Sequence, residues 1–438
     1  MHKLSIRIIA FTILLSLLAS SLFLISYSEG LTQNAWPMFR HDEQHTGFSF
    51  STGPSANQTL WKYATGGQVW SSPTIADGRV YVGSFDHKIY ALNSSTGTLI
   101  WAFATQGEVF SSPAVFNGIV YVGSFDHNVY ALNASTGIQL WNYTTGGAVF
   151  SSPTIANGTV FFGSDDNYIY ALNSQSGQLR WNYKTGDKVQ SSVAVSDGLA
   201  YIGSNDTRIY ALNATSGDKV WMFKTGSYVA SSPAVSGSII YVGCFDNKTY
   251  ALNAADGSLI WNHTTGYDIC MQSSPAVYGD LVYTGSSGLI SYSMSSPPSN
   301  LKETSSGNKI YALNKTTGTV VWNYLTGGGV WSSPAVSSNS VYVGSGDGKL
   351  YALNALTGVV QWSCQTDGAI YSSPAIANGT AYVGSYDGTV YAIGSPSKAT
   401  NSSTNSGIWI IIVVAVTTTF LAAMGILLIL RKRQKTRL

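Results

Sequence analysis

Apolar and polar residues alternate with a period of two in short runs, and the runs return in the same order along most of the chain. Over residues 69–104 they read VWSSPTIA, RVYVG, KIYALN and TLIWAFA, separated by Asp77-Gly78 and by turns at 84–87 and 94–97. Period two with Val, Ile, Tyr and Trp predicts half-buried strands, and Asp-Gly or Asn-Gly between two such runs is a strong hairpin signal. The same dipeptide type recurs at Asn117, Asn157, Asp197 and Asn378. Each unit is expected to be a four-stranded antiparallel meander.

The unit repeats. YALN starts at Tyr90, Tyr130, Tyr170, Tyr210, Tyr250, Tyr311 and Tyr351 and returns as YAIG at Tyr391, at one constant spacing that is broken only between Tyr250 and Tyr311. Trp101, Trp141, Trp181, Trp221, Trp261, Trp322 and Trp362 close successive units, and Trp61 precedes the first. One four-stranded sheet cannot bury both faces by itself, whereas copies stacked round an axis can. The eighth unit ends at Gly394 without its Trp strand, and the Trp strand at 60–64 has no unit before it. Pairing the two closes a ring. The expected fold is therefore all-β: an eight-bladed, monomeric propeller of four-stranded blades over 60–394.

Within ALNSSTGTLIW (91–101), Gly97 suits the positive φ of a tight turn and Asn93 can bond the turn backbone. The tryptophan is then held where it packs on the neighbouring blade. The eight tryptophans are read as structural docking residues, not ligands.

The string, repeated as ALNASTGIQLW and ALNKTTGTVVW, resembles the tryptophan-docking motif of pyrroloquinoline-quinone (PQQ) repeat β-propellers, with Asn where that family often has Asp. The leading WPMFRHDEQHTG is similar to the arm that precedes such repeats in related secreted proteins. The resemblance implies one of two activities. Quinoprotein alcohol and glucose dehydrogenases of this fold bind PQQ with calcium, and the alcohol enzymes carry a vicinal disulfide. The branch similar to the outer-membrane β-barrel assembly lipoprotein uses its propeller as a binding scaffold. This chain has no adjacent cysteines, is shorter than those enzymes, and shows no Asp/Glu/Asn cluster standing out from the repeat. A scaffold is expected, with no catalytic residue, metal or cofactor; PQQ and calcium belong to the enzymatic alternative, and a structural surface coat is a third reading.

The ends of the chain carry their own signals. Residues 1–28 (Lys3 and Arg7, then the apolar run 8–25) read as a signal peptide or an uncleaved anchor. Residues 408–430 are uncharged and apolar, enough to cross a bilayer core of about 30 Å, and the basic tail 431–438 is expected to stay in the cytoplasm. The polar segment 395–407 is a stalk, and 29–59 an arm packing on the domain. These segments predict a propeller displayed outside the cell on a single span.

Charge then narrows the partners. Only 10% of residues are charged, and the formal net charge of +2 rests on the termini: residues 31–407 hold 16 basic and 20 acidic residues. That balance excludes nucleic acid. An extracellular protein, a polysaccharide or a small aromatic ligand remains.

The candidate site comes from the residue before each SS pair: Trp70, Phe110, Phe150, Gln190, Ala230, Gln272, Trp331 and Tyr371. Its five aromatics, Trp70, Phe110, Phe150, Trp331 and Tyr371, fall in consecutive blades once the ring closes. They form either a ligand-stacking crescent at the channel mouth or a plug. The insertion 286–307 in blade 6 is either a specificity loop on the same face or neutral. Asp86, Asp126, Asp166, Asp206, Asp246, Asp347 and Asp387 recur in the same turns, as backbone caps or as an acidic rim. In the arm, His41, Asp42, Glu43 and His45 match no zinc or calcium spacing. Cys244 and Cys270 are a candidate disulfide; Cys364 reads as a buried inert thiol. Among the Asn-x-Ser/Thr sites, Asn142, Asn205, Asn247 and Asn401 are the favoured glycosylation candidates.

Overall fold

A computed structural model describes residues 35–265, 273–287 and 307–395. The leader, the apolar span 408–430, the stalk beyond residue 395, Cys270, Asn401 and residues 288–306 of the insertion lie outside the described residues.

After a short β1 (Phe48–Ser49) and β2 (Gln58–Ala64), the first blade is the meander β3 (Thr74–Ala76), β4 (Arg79–Ser84), β5 (Lys88–Asn93) and β6 (Leu99–Ala104). Asp77 and Gly78 both take positive φ, giving the reversed turn that matches the strand twist. Ile89, Tyr90, Ala91 and Leu92 of β5 are all buried, because blades cover both faces of the sheet, whereas β6 alternates buried and exposed at the outside. Seven further sheets repeat the pattern, and the innermost strands neighbour one another in a closed circle, Thr74–Ala76 lying beside Ala375–Ala377.

The innermost strands are shorter than the 69–76 run implies, covering only Thr74–Ala76 in blade 1. The preceding Ser72 N–H bonds Ser112 Oγ of the next blade at 2.9 Å instead of a ladder partner, and Pro73 has no N–H to offer.

The ring shuts without a covalent link. β2 pairs antiparallel with Thr389–Gly394, Gln58 opposite Gly394 and Ala64 opposite Thr389. Between blades, each outer-strand indole donates to a carbonyl in the next blade's turn: Trp101 Nε1 to Ala134 O at 3.0 Å, Trp181 to Ala214 O at 3.0 Å, Trp261 to Lys315 O at 3.0 Å. Trp61 reaches Ser94 O at 2.9 Å across the closing joint. The indole lies so close to the turn glycine that a Cβ on Gly137 would sit 2.7 Å from Trp101 Cδ2. Trp362 faces blade 8, whose last two strands are not joined by a turn because the outer one is β2, and bonds Pro54 O at 3.3 Å instead.

The arm does more than pack. Trp36 forms a two-way bridge with Ile75, and the amides of Val115, Val195, Val235, Val277 and Val336 donate to Pro37, Glu43, Gln44, Thr46 and Gly47 carbonyls. β1 runs parallel to Ala335–Ser337. His45 Nε2 meets Thr154 Oγ1 at 2.9 Å in blade 3, and Gly379 N reaches Thr52 O at 2.8 Å in blade 8. One segment thus touches all eight blades from inside, covering edges that would otherwise be unpaired.

Two outcomes test these contacts. Trp181→Ala should cost about 3–5 kcal/mol in denaturant unfolding. His45 is fully buried and its pKa is lowered to about 3 by burial, while the unfolded imidazole titrates near 6.5. Between those values the unfolded chain binds the extra proton, so stability falls as pH drops below about 6.5, by up to ~1.4 kcal/mol per pH unit. His45→Gln should flatten the fall in melting temperature from pH 7 to 5; an unchanged slope would assign it to other groups.

Candidate functional site

Each inner segment places its residues in tiers down the channel: position 70 at the rim, Ser72 below it, and Ile75 at the level of the arm. The five crescent rings form one continuous series. Trp331 and Tyr371 stack at 5.0 Å, Tyr371 and Trp70 lie 4.9 Å apart, Trp70 and Phe110 5.5 Å, and Phe110 and Phe150 5.1 Å. Trp331 is only 6% exposed; the other four are half-buried. All five line one cavity of about 90 Å3, with Phe39 of the arm among its walls.

A second tier was missed from the sequence. Phe85 stacks on Trp70 at 5.7 Å, Phe125 on Phe110 at 4.5 Å, and Tyr386 lies 6.0 Å from Tyr371. Each stands immediately before a recurring Asp, so the signal was present at that column of the repeat. Across the mouth the lining includes the polar Gln190, whose partners Asp165 and Asn205 are not part of the lining. Asp165 takes bonds from Lys188 Nζ at 2.9 Å and Gln190 Nε2 at 3.1 Å, and Asn205 Nδ2 donates to Gln190 Oε1 at 3.4 Å.

Below the rings lies a cyclic hydrogen-bond chain. The second serine of each pair gives its backbone N–H to the hydroxyl of its counterpart one blade on: Ser72 to Ser112, Ser112 to Ser152, and so round to Ser373 back to Ser72, each of these at 2.9 Å. All eight of these serines face the cavity.

The recurring aspartates staple turns. Asp166 accepts from Gly146 N at 2.7 Å, Tyr168 N at 3.0 Å and Tyr170 hydroxyl at 2.7 Å, and Asp126 and Asp347 do the same in their blades. Burial pushes Asp126 up, but the bonds from Gln106, Tyr130 and Asn128 outweigh it and hold the carboxyl below its ordinary value.

Elsewhere, Cys244 is fully buried with Sγ 3.4 Å from Ser227 O and Tyr228 O, and burial raises its thiol to about 11. Cys364 is buried too. Asn142 is exposed, while Asn205 and Asn247 are half-buried. In the arm, Asp42 accepts from Thr46 N at 2.9 Å and lies 3.4 Å from His41 Nδ1. Among the described residues no three His, Cys, Asp or Glu side chains are grouped to hold a metal.

The model of the β-propeller of beta-alanine-activating enzyme matches residues 156–398, more than half of the chain, and that of the outer membrane protein assembly factor BamB matches 51–111 and 86–192. The chain belongs to the PQQ-repeat β-propellers. Similar solved structures of such propellers include BamB from Moraxella catarrhalis (18% identity, 77% of this chain and all of that one, TM-score 0.63). A europium-containing methanol dehydrogenase matches at 14% identity over 83% of this chain and 98% of its own, TM-score 0.70. A quinohemoprotein alcohol dehydrogenase from Comamonas testosteroni matches at 17% over 83% and 81%, TM-score 0.68. At these identities the likeness shows the fold alone. No curated protein matches the chain.

PQQ-repeat propellers with enzymatic activity are expected to hold quinone with calcium, so the mouth must be tested for both. Calcium takes six to eight oxygen ligands, carboxylates prominent among them. None of the described residues lining the cavity is a carboxylate, and its volume of about 90 Å3 is well under the ~300–1,000 Å3 of pockets that enclose a ligand of that size. These residues do not fit the pair.

Asp166→Ala strands two amides and a tyrosine hydroxyl, and should cost about 1–3 kcal/mol in denaturant unfolding. Unchanged stability would instead make these carboxylates a free acidic rim.

Proposed function

We propose that this propeller is a ligand-binding or protein-interaction scaffold, tethered to the membrane by residues 408–430 and displayed outside the cell. The observation that carries the reading is the unbroken arc of rings round half of a channel mouth whose other end is filled by the arm. A blind cavity with an aromatic rim takes up a flat or apolar group from one side only. Across from the rings, Gln190, held by Asp165 and Asn205, supplies direction for hydrogen bonds. The leader and the apolar span support the surface placement, and the BamB likeness supports a scaffold role. The dehydrogenase neighbours keep an oxidoreductase as the second reading.

The test uses the full chain purified in detergent. Tyr371→Ala combined with Phe150→Ala, both half-buried, should weaken a ligand found on glycan and protein arrays at least tenfold with little change in melting temperature. A large fall in melting temperature with binding intact would make the rings a plug. Incubation with PQQ and calcium separates the second reading: quinone absorbance retained through gel filtration, with dye reduction by alcohols or aldoses, would establish the enzyme and overturn the scaffold.

A further inference from the structure

Once the mouth is read as a ligand site, as proposed above, two features of the cavity bear on what it takes. The first is the serine ring. Every hydroxyl oxygen in it already accepts a backbone N–H from the blade before, yet among the described residues none of these hydroxyls donates to a protein acceptor. A circle of O–H donors is left for the cavity. The second is the floor. Behind Phe39, the fully buried Arg40 guanidinium bonds Pro275 O at 2.7 Å and Pro334 O, the carbonyls that directly follow Ser274 and Ser333 of the ring. Asp42 acts on Arg40 through space, and among the described residues no ion pair joins the two.

Donors without acceptors above a buried cation favour an anion. A carboxylate offers about four lone-pair sites, and a buried ion is tolerated when they are filled by hydrogen bonds. The described lining holds no carboxylate to repel it, and Asp165 across the mouth is neutralised by Lys188. We propose that the channel binds a small organic acid: one ring against the crescent, with its carboxylate among the serine hydroxyls. The same chemistry is offered by the free carboxylate of a peptide ending in an aromatic residue.

Calorimetry on the full chain in detergent distinguishes these sources. The probes are phenylacetate, phenylacetamide, a tripeptide ending in Phe with a free carboxylate, and its C-terminal amide. Phenylacetate should bind at least tenfold more tightly than phenylacetamide, and Tyr371→Ala should weaken it. A free-acid peptide that binds more tightly still names a peptide terminus as the source; one that does not names the small acid. Ser232→Ala, which removes one donor, should weaken the acid several-fold and leave the amide unchanged. Because Ser232 Oγ also serves the Ser192 amide, the acid–amide comparison on the unaltered chain decides if that variant fails to fold. Equal binding of acid and amide would overturn the acid and keep the aromatic mouth. No binding of any probe would also overturn the acid, and the array experiment with Tyr371→Ala and Phe150→Ala then judges the mouth separately.

Discussion

An indole N–H held on the carbonyl of the next blade's turn is the contact on which this fold depends. A four-stranded blade leaves both faces apolar, so each must be covered by a neighbour at a fixed angle. The tryptophan sets that angle by covering a glycine whose missing Cβ lets the ring lie flat, and by fixing its own edge to a carbonyl. Burying such a ring removes roughly 150–250 Å2 from water. A ring of blades with one joint open would expose two whole faces, so the closing contacts matter as much as the others. They fall to Trp61 on Ser94, Trp362 on Pro54, and the pairing of β2 with the last strand.

Those closing contacts come from the same segment that fills the channel. Running from Trp36 to Ala64, it bridges inner strands, supplies Pro54 to the seventh blade's tryptophan, and ends as the outer strand of the eighth. Its passage turns an open channel into a blind cavity. Arg40 and His45 are carried into the interior with it, where burial lowers both of their pKa values. The floor of the candidate site and the lock of the fold are thus one piece of chain.

The aspartates and serines show how the repeat builds this site without dedicated charges. Carboxylates that looked available for an acidic rim are engaged by amides and tyrosine hydroxyls of the turns. Serines that looked like strand residues tie each blade to the next and present hydroxyls to the cavity. In the column before the serines the aromatic side chains gather in consecutive blades, with Gln190 and Ala230 across from them, and Phe245, in the column before the aspartates, packs on Trp331 from blade 5.

Much of this was legible in the chain. Period-two alternation, Asp-Gly turns and a tryptophan returning at a fixed interval determine the blades, their number and the closing strand, because each feature is local or repeats at constant spacing. The crescent was legible for the same reason, as one column of an aligned repeat. The arm's route was not. Its bonds to the inner strands use backbone carbonyls, which leave no mark on residue type, and their partners lie far along the chain, as Gly47 and Val336 do. The shortened inner strands and the serine circle likewise appear only when the blades stand side by side. Residue order set the units and their count, and only the closed ring decided what faces the axis.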